Sequence, residues 1–216
     1  NIDLLAFDQW TGCFLMPELI AAFVTPNHPT VYNMLSKASE YMAKWGKRPE
    51  ITGYLTRSAD EVKVQMAAIY AALQSQNIVY NNVPPSYERL GQRVRLPYSV
   101  IENRQGTCLD LAVTYASCLE AAGLFPLIMI KKGHAYCGCR LEEETFADCV
   151  IDDYSAIDKR TVSGNEDILL VECTDFTASK NVDFDKAVKH GKDNLLDSGS
   201  FICAVDVRRS RAGGLR

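Results

Sequence analysis

Nowhere in this chain does an uncharged apolar run approach about 18 residues, so neither a membrane-spanning helix nor a membrane partner is expected. Excess charge is missing as well: the net charge is -4 over 216 residues. That gives no electrostatic reason to expect direct nucleic-acid binding. No repeat and no low-complexity linker is visible. No acidic loop has the density that calcium ligation needs. No signal peptide is visible, and a cytoplasmic location is expected. Histidine is scarce, with three residues in all. Chemistry that needs imidazole must therefore use His28, His134 or His190.

What is present is ordinary in amount and uneven in placement. Apolar residues make up 47% and charged residues 23%, at a length that suits one large domain or a domain with an added subdomain. Such a chain buries an adequate core without staples. The eight cysteines, at 13, 108, 118, 137, 139, 149, 173 and 203, allow four disulfides in a secreted protein. Reduced thiols are the favoured reading, because most of these cysteines lie inside apolar strand or helix patterns, where free Cys acts as a small core residue. A start at Asn1 and the basic end "RRSRAGGLR" are what a domain within a longer protein would show, with neighbouring domains as partners.

The first hundred residues read as helical. "PELIAAFV" (17–24) has Pro at a first-turn position, and a second helix is expected from about Pro29 to Trp45. In "SADEVKVQMAAIYAALQSQ", Ser58 and Glu61 have capping-box spacing, and Val62, Met66, Ile69 and Leu73 share a face. "NIVY" is strand-like and "NNVPPSYERLGQ" is turn-rich. The second half changes character. A helix over about 107–122 precedes strands at "LFPLIMI" (124–130) and "HAYCGCRL" (134–141). "DILLVECTDFT" (167–177) reads as a further strand, 183–195 as a short polar helix, and "SFICAVDV" (200–207) as a last strand. Helices early and strands late predict an α+β fold, with N-terminal helices and a central buried helix packed on an antiparallel sheet. The helical part covers 1–97 and the core 98–216.

The helix after Thr107 is apolar on nearly every side, with only Asp110, Thr114 and Ser117 polar, as expected of a buried central helix. Thr107 is a plausible N-cap, which puts Cys108 in the first turn. Unpaired N–H groups and the positive dipole end gather there. Thiols at such ends are the acidic, nucleophilic ones, and the same N–H groups can hold an oxyanion. Cys118, inside the helix, reads as core filler. A thiolate needs a base. His28 lies in the turn "TPNHPT" and His190 at a solvated helix end, whereas His134 opens a strand directly after "KKG".

"GTCLDLAVTYASCLEAAGLFPLIMIKKGHAYCGCRL" resembles the core of the transglutaminase-like superfamily: Gly-x-Cys-x-Asp, a helix ending in a "leaaG" element, a strand, and His on the next strand. It is similar to the papain-type order of Cys, His, then an acid or amide. "LLVECTDFT" resembles the family's third segment, where an Asp is followed two residues later by Thr; here Glu172 and Thr174 hold those places. The likeness covers 98–177. The flanks "FDQWTG", "AAFVTPNHP" and "GQRVRLP" are similar to such domains embedded in large multidomain bacterial proteins. The resemblance implies a catalytic set Cys108, His134 and Glu172 and no cofactor. It also implies acyl transfer through a thioester on a protein or peptide substrate, most simply by hydrolysis of a peptide or carboxamide bond. Cross-linking to an amine and a non-catalytic interaction module stay as alternatives.

Several residues have a second reading. Asp152, or Asp153 beside it, lies between His134 and Glu172 and is the runner-up for the acid. A zinc site from His134, Cys137, Cys139 and Cys149 is disfavoured. Strand alternation sends Cys137 and Cys139 to the face opposite His134, and the two-residue knuckle spacing is absent. No metal is expected. Asp110 reads as structural. Gln92 or Asn103 could add an oxyanion donor.

Overall fold

The computed structural model describes residues 5–82, 91–162 and 164–215. In chain order it has β1 (Gln9–Trp10), α1 (Pro29–Lys44), α2 (Ala59–Gln74), β2 (Val79–Tyr80), β3 (Gln92–Arg93) and α3 (Pro97–Asn103). There follow β4 (Gln105–Gly106), α4 (Cys108–Ala121), β5 (Pro126–Lys131), β6 (His134–Arg140), β7 (Val150–Ile151) and α5 (Tyr154–Asp158). Last come β8 (Ile168–Val171), α6 (Phe184–Leu196), β9 (Phe201–Asp206) and α7 (Val207–Ala212). The turn-rich stretch expected over 81–92 falls mostly outside the described residues.

α4 is the axis of the molecule. Every residue from Leu109 to Leu119 is buried. A fully buried Leu or Val contributes about 1.5–3 kcal/mol, against about 1 kcal/mol for a helix cap, so packing rather than capping holds this helix. Its polar edge is satisfied internally: the Thr114 hydroxyl donates to Asp110 O and the Ser117 hydroxyl to Val113 O. Ser117 also accepts from Thr25 N, which ties down the N-terminal segment.

α4 lies on an antiparallel sheet of order β7-β9-β5-β6-β8. Alternation divides the strands cleanly. Ile128, Cys137, Cys139, Val171 and Val205 join the core on the α4 side, whereas Leu127, Met129, Tyr136, Leu170 and Ala204 face the other way. That second face is covered by Ile157 of α5 and Leu195 of α6. The α4-side core also takes in Met34 of α1 and Met66 and Leu73 of α2, so one apolar cluster spans both halves of the chain. The expected face of α2 is the observed one: Val62, Met66, Ile69 and Leu73 are all buried.

The structure corrects three expectations. "PELIAAFV" forms a 3-10 helix over Pro17–Phe23 rather than an α-helix. The first hundred residues are not purely helical, since β1 pairs with β3 and β2 runs parallel to β4. The strand expected over 167–177 ends at Val171, and Cys173–Phe176 is a 3-10 turn. The chain leaves the sheet there because Glu172 N donates to Ala187 O of α6 instead of to a neighbouring strand.

Candidate active site

The start of α4 is built by two side chains. Asp110 N donates to the Thr107 hydroxyl oxygen at 3.3 Å, and Thr107 N donates to Asp110 Oδ2 at 2.9 Å. This reciprocal capping box places Cys108 at the first helical position. Asp110 does more than cap. Its carboxylate accepts from Arg95 N at 2.7 Å and from Arg95 Nη1 at 2.9 Å, so the chain entering α3 is fastened to the helix start. With Asp110 N and Leu111 N both directed to Thr107, the first-turn donors left for an anion are those of Cys108 and Leu109.

His134 arrives from the next layer. Lys131 pairs with His134 across β5 and β6, which leaves Lys132 and Gly133 as the turn. Gly133 has φ +73°, a value that glycine adopts without strain. The ring stands beside the start of α4 and lines the same cleft as Cys108, whose thiol is among the groups that bear on its charge. Its Nε2 lies 2.6 Å from Glu172 Oε2, so Nδ1 is the nitrogen left for the sulfur. Tyr136 stacks on the same ring with centroids 6.2 Å apart.

Glu172 reaches His134 from the residue after β8, as the N-cap of the 3-10 turn. Its Oε1 accepts from Thr174 N at 2.8 Å and from the Thr174 hydroxyl at 2.7 Å. Its Oε2 accepts from Asn194 Nδ2 at 2.6 Å in addition to the His134 contact. Burial alone would raise this carboxyl, but the hydrogen bond and charge of His134, with the Thr174 donors, hold it down at about 2. Burial alone would lower His134, but the neighbouring Cys108 and the hydrogen bond and charge of Glu172 carry it up to about 9. Through the neutral range the ring and the carboxylate form an ion pair.

The three residues expected to act together are thus brought together. Asp152 and Asp153 are not part of the set. Both are exposed, at the sheet edge formed by β7, and Asp153 caps α5 by accepting from Ser155 N. His28 caps α1 and stacks on Tyr98. His190 is exposed, as expected, but lies within α6 rather than at its end, with Nδ1 2.6 Å from Oδ2 of the buried Asp175. Gln92 lines the cleft beside Cys108; Asn103, at the end of α3, donates to Ser99 instead. Cys137 and Cys139 are buried on the α4 side of the sheet. Among the described residues no three His, Cys, Asp or Glu side chains are placed to hold a metal ion.

Asn194 and Tyr80 escaped the sequence reading. Tyr80 neighbours Cys108, because the β2–β4 ladder sets Tyr80 opposite Gly106, just ahead of the helix. Neither residue belongs to an apolar period, and the one signal for Asn194 was Gly191 in mid-helix, which marks a close approach.

Cys108 and His134 open onto a cleft of about 520 Å³. Its lining includes Trp10 to Leu15 and, around the β5–β6 turn, Ile130, Lys131 and Gly133 to Ala135. The described lining includes Arg93, Arg95 and Lys131 but no carboxylate. Asp8 neutralises Arg93 and Asp110 neutralises Arg95, whereas Lys131 donates to the Asn194 carbonyl. No family model, no curated protein and no solved structure matches the chain.

Proposed function

We propose that this α+β domain is a transglutaminase-like, papain-type cysteine enzyme that hydrolyses a peptide or carboxamide bond. Cys108 attacks the carbonyl carbon of the substrate. The protonated His134 ring carries on Nδ1 the proton that the sulfur gives up, and passes it to the departing amine, leaving a thioester on the sulfur. Water, deprotonated by the same ring, then releases the acid and restores the thiol. A ring that keeps its second proton up to about 9 favours the donating half of this cycle. Glu172 fixes the tautomer and orientation of the ring and balances its charge. The N–H groups of Cys108 and Leu109 are the candidate donors to the oxyanion.

What carries the reading is His134, which lines one cleft with Cys108 and has its Nε2 2.6 Å from Glu172 Oε2. A structural thiol has no use for a base whose far nitrogen is held by a four-times hydrogen-bonded carboxylate. The cleft volume is of the size that holds a small ligand or a few residues of a peptide, and an extended protein segment is the substrate class that suits an open trough.

Acid quenching of the protein with a panel of peptide amides and esters, followed by intact-mass analysis, tests the reaction. An acyl adduct on Cys108 that decays to free acid is expected, and it should be absent from Cys108→Ser. Decay only in the presence of an added amine would assign cross-linking instead. No adduct across the panel would leave an interaction module as the better account.

A further inference from the structure

We propose that Lys180 is a positioning residue for the Glu172–His134 pair, acting through the hydroxyl of Thr174. The inference rests on the acyl-transfer reading for its functional meaning, but its geometry stands apart from it. Lys180 Nζ lies 2.6 Å from Thr174 Oγ1, and Thr174 Oγ1 lies 2.7 Å from Glu172 Oε1. An ammonium group only donates, so the hydroxyl must accept from Lys180. The single hydroxyl proton is then free to point one way, at Glu172. Lys180 thereby decides which way that donor faces.

Lys180 also explains how two carboxylates can sit together under the sheet edge. Asp175 is buried, one residue beyond Thr174 on the same 3-10 turn. Lys180 Nζ lies 3.1 Å from Asp175 Oδ1, and His190 Nδ1 occupies Oδ2 at 2.6 Å. A hydrogen-bonded line therefore runs from the surface at His190 through Asp175, Lys180, Thr174 and Glu172 to His134. The proposed cycle uses only the last two members. Lys180 itself is about half-exposed, so replacing its head group need not disturb packing.

The effect has a definite sign. A carboxylate that loses a donor concentrates its charge and holds the imidazolium proton more tightly. The groups around the His134 ring are otherwise Cys108, Tyr80 beside the sulfur, Tyr136 and Lys131, and none of them is altered by the changes below.

The test follows the His134 ring proton by NMR against pH in the full chain. In Thr174→Val and in Lys180→Met the His134 titration should move up by about 0.4 to 1 pH unit, the shift equivalent to one ordinary hydrogen bond. Lys180→Arg and Thr174→Ser, which keep donor and hydroxyl, should stay close to the wild type. The double variant Thr174→Val/Lys180→Met should move no further than Thr174→Val alone, because Lys180 acts through the hydroxyl. Two shifts that add would mean a through-space charge effect and would overturn the proposal. So would an unmoved or lowered titration in Lys180→Met. The Cys108 alkylation rate, taken on the same samples, reports separately on the acyl-transfer reading: a sluggish Cys108 sinks that reading, while the His134 titration still decides the role of Lys180.

Discussion

Glu172 carries four hydrogen bonds on one carboxylate: two from Thr174, one from Asn194 and one from His134. Neutralising it keeps the shape and removes the charge that holds the ring. Glu172→Gln should therefore lower turnover by orders of magnitude while the protein stays folded, and Asp152→Asn, at an exposed position, should leave turnover unchanged. Parallel assays of the two variants check this. The same pair makes stability depend on pH. Glu172 falls from 4.5 to about 2 on folding, so its contribution is full above 4.5 and fades as pH drops toward 2. His134 rises from 6.5 to about 9, so its contribution is full below 6.5 and fades as pH climbs toward 9. The pair therefore stabilises most between about pH 4.5 and 6.5. Denaturant titrations across that range should show a plateau in the wild type that is diminished in Glu172→Gln.

Two elements set the geometry that these residues rely on. The start of α4 depends on Asp110, which is fully buried and paired with Arg95. Asp110→Ala removes half the capping box and strands the guanidinium, at a cost of about 3–5 kcal/mol. Thr107→Ala loses only a cap, about 1 kcal/mol. The gap should appear as different denaturation midpoints at a common slope. α6 depends on Gly191. A Cβ there would lie 2.6 Å from Leu170 C and 2.7 Å from Leu170 O, both backbone atoms of β8. In an open helix Gly→Ala stabilises by up to about 1 kcal/mol. Here the helix must back away from the strand, carrying Asn194 off Glu172. Gly191→Ala should accordingly lower the melting temperature rather than raise it.

Across the whole molecule, what could be read from the sequence follows the strength of local signals. α4 and its cap were legible because an apolar run behind Thr107-Cys108-x-Asp110 has one sensible start. His134 was legible because Lys131-Lys132-Gly133 must turn back and only one histidine opens a strand. Glu172 lies against His134 as expected, but the sequence alone reads it as the middle of a strand. Its N–H donates to Ala187 O of α6 rather than to a strand, which ends β8 at Val171, and its side chain turns back to accept from Thr174 N. Tyr80, Asn194 and Lys180 were not legible at all. They are single polar residues without period, and only the tertiary arrangement of β2, α6 and the 3-10 turn makes them neighbours of the pair. The partner of His190 is hidden from the sequence for the same reason, since Asp175 is buried on another element.

The central claim is that one thiol of eight is set up for attack. Cys118, Cys137, Cys139, Cys173 and Cys203 are buried, whereas Cys13, Cys108 and Cys149 are half-buried, so exposure alone leaves three competitors. Timed iodoacetamide labelling near neutral pH, read by peptide mass spectrometry in the wild type and in His134→Ala, separates them. The account predicts that Cys108 is modified well before Cys13 and Cys149, and that this lead vanishes in His134→Ala. Equal rates at the three half-buried thiols, or a lead at Cys108 that survives the loss of His134, would contradict it.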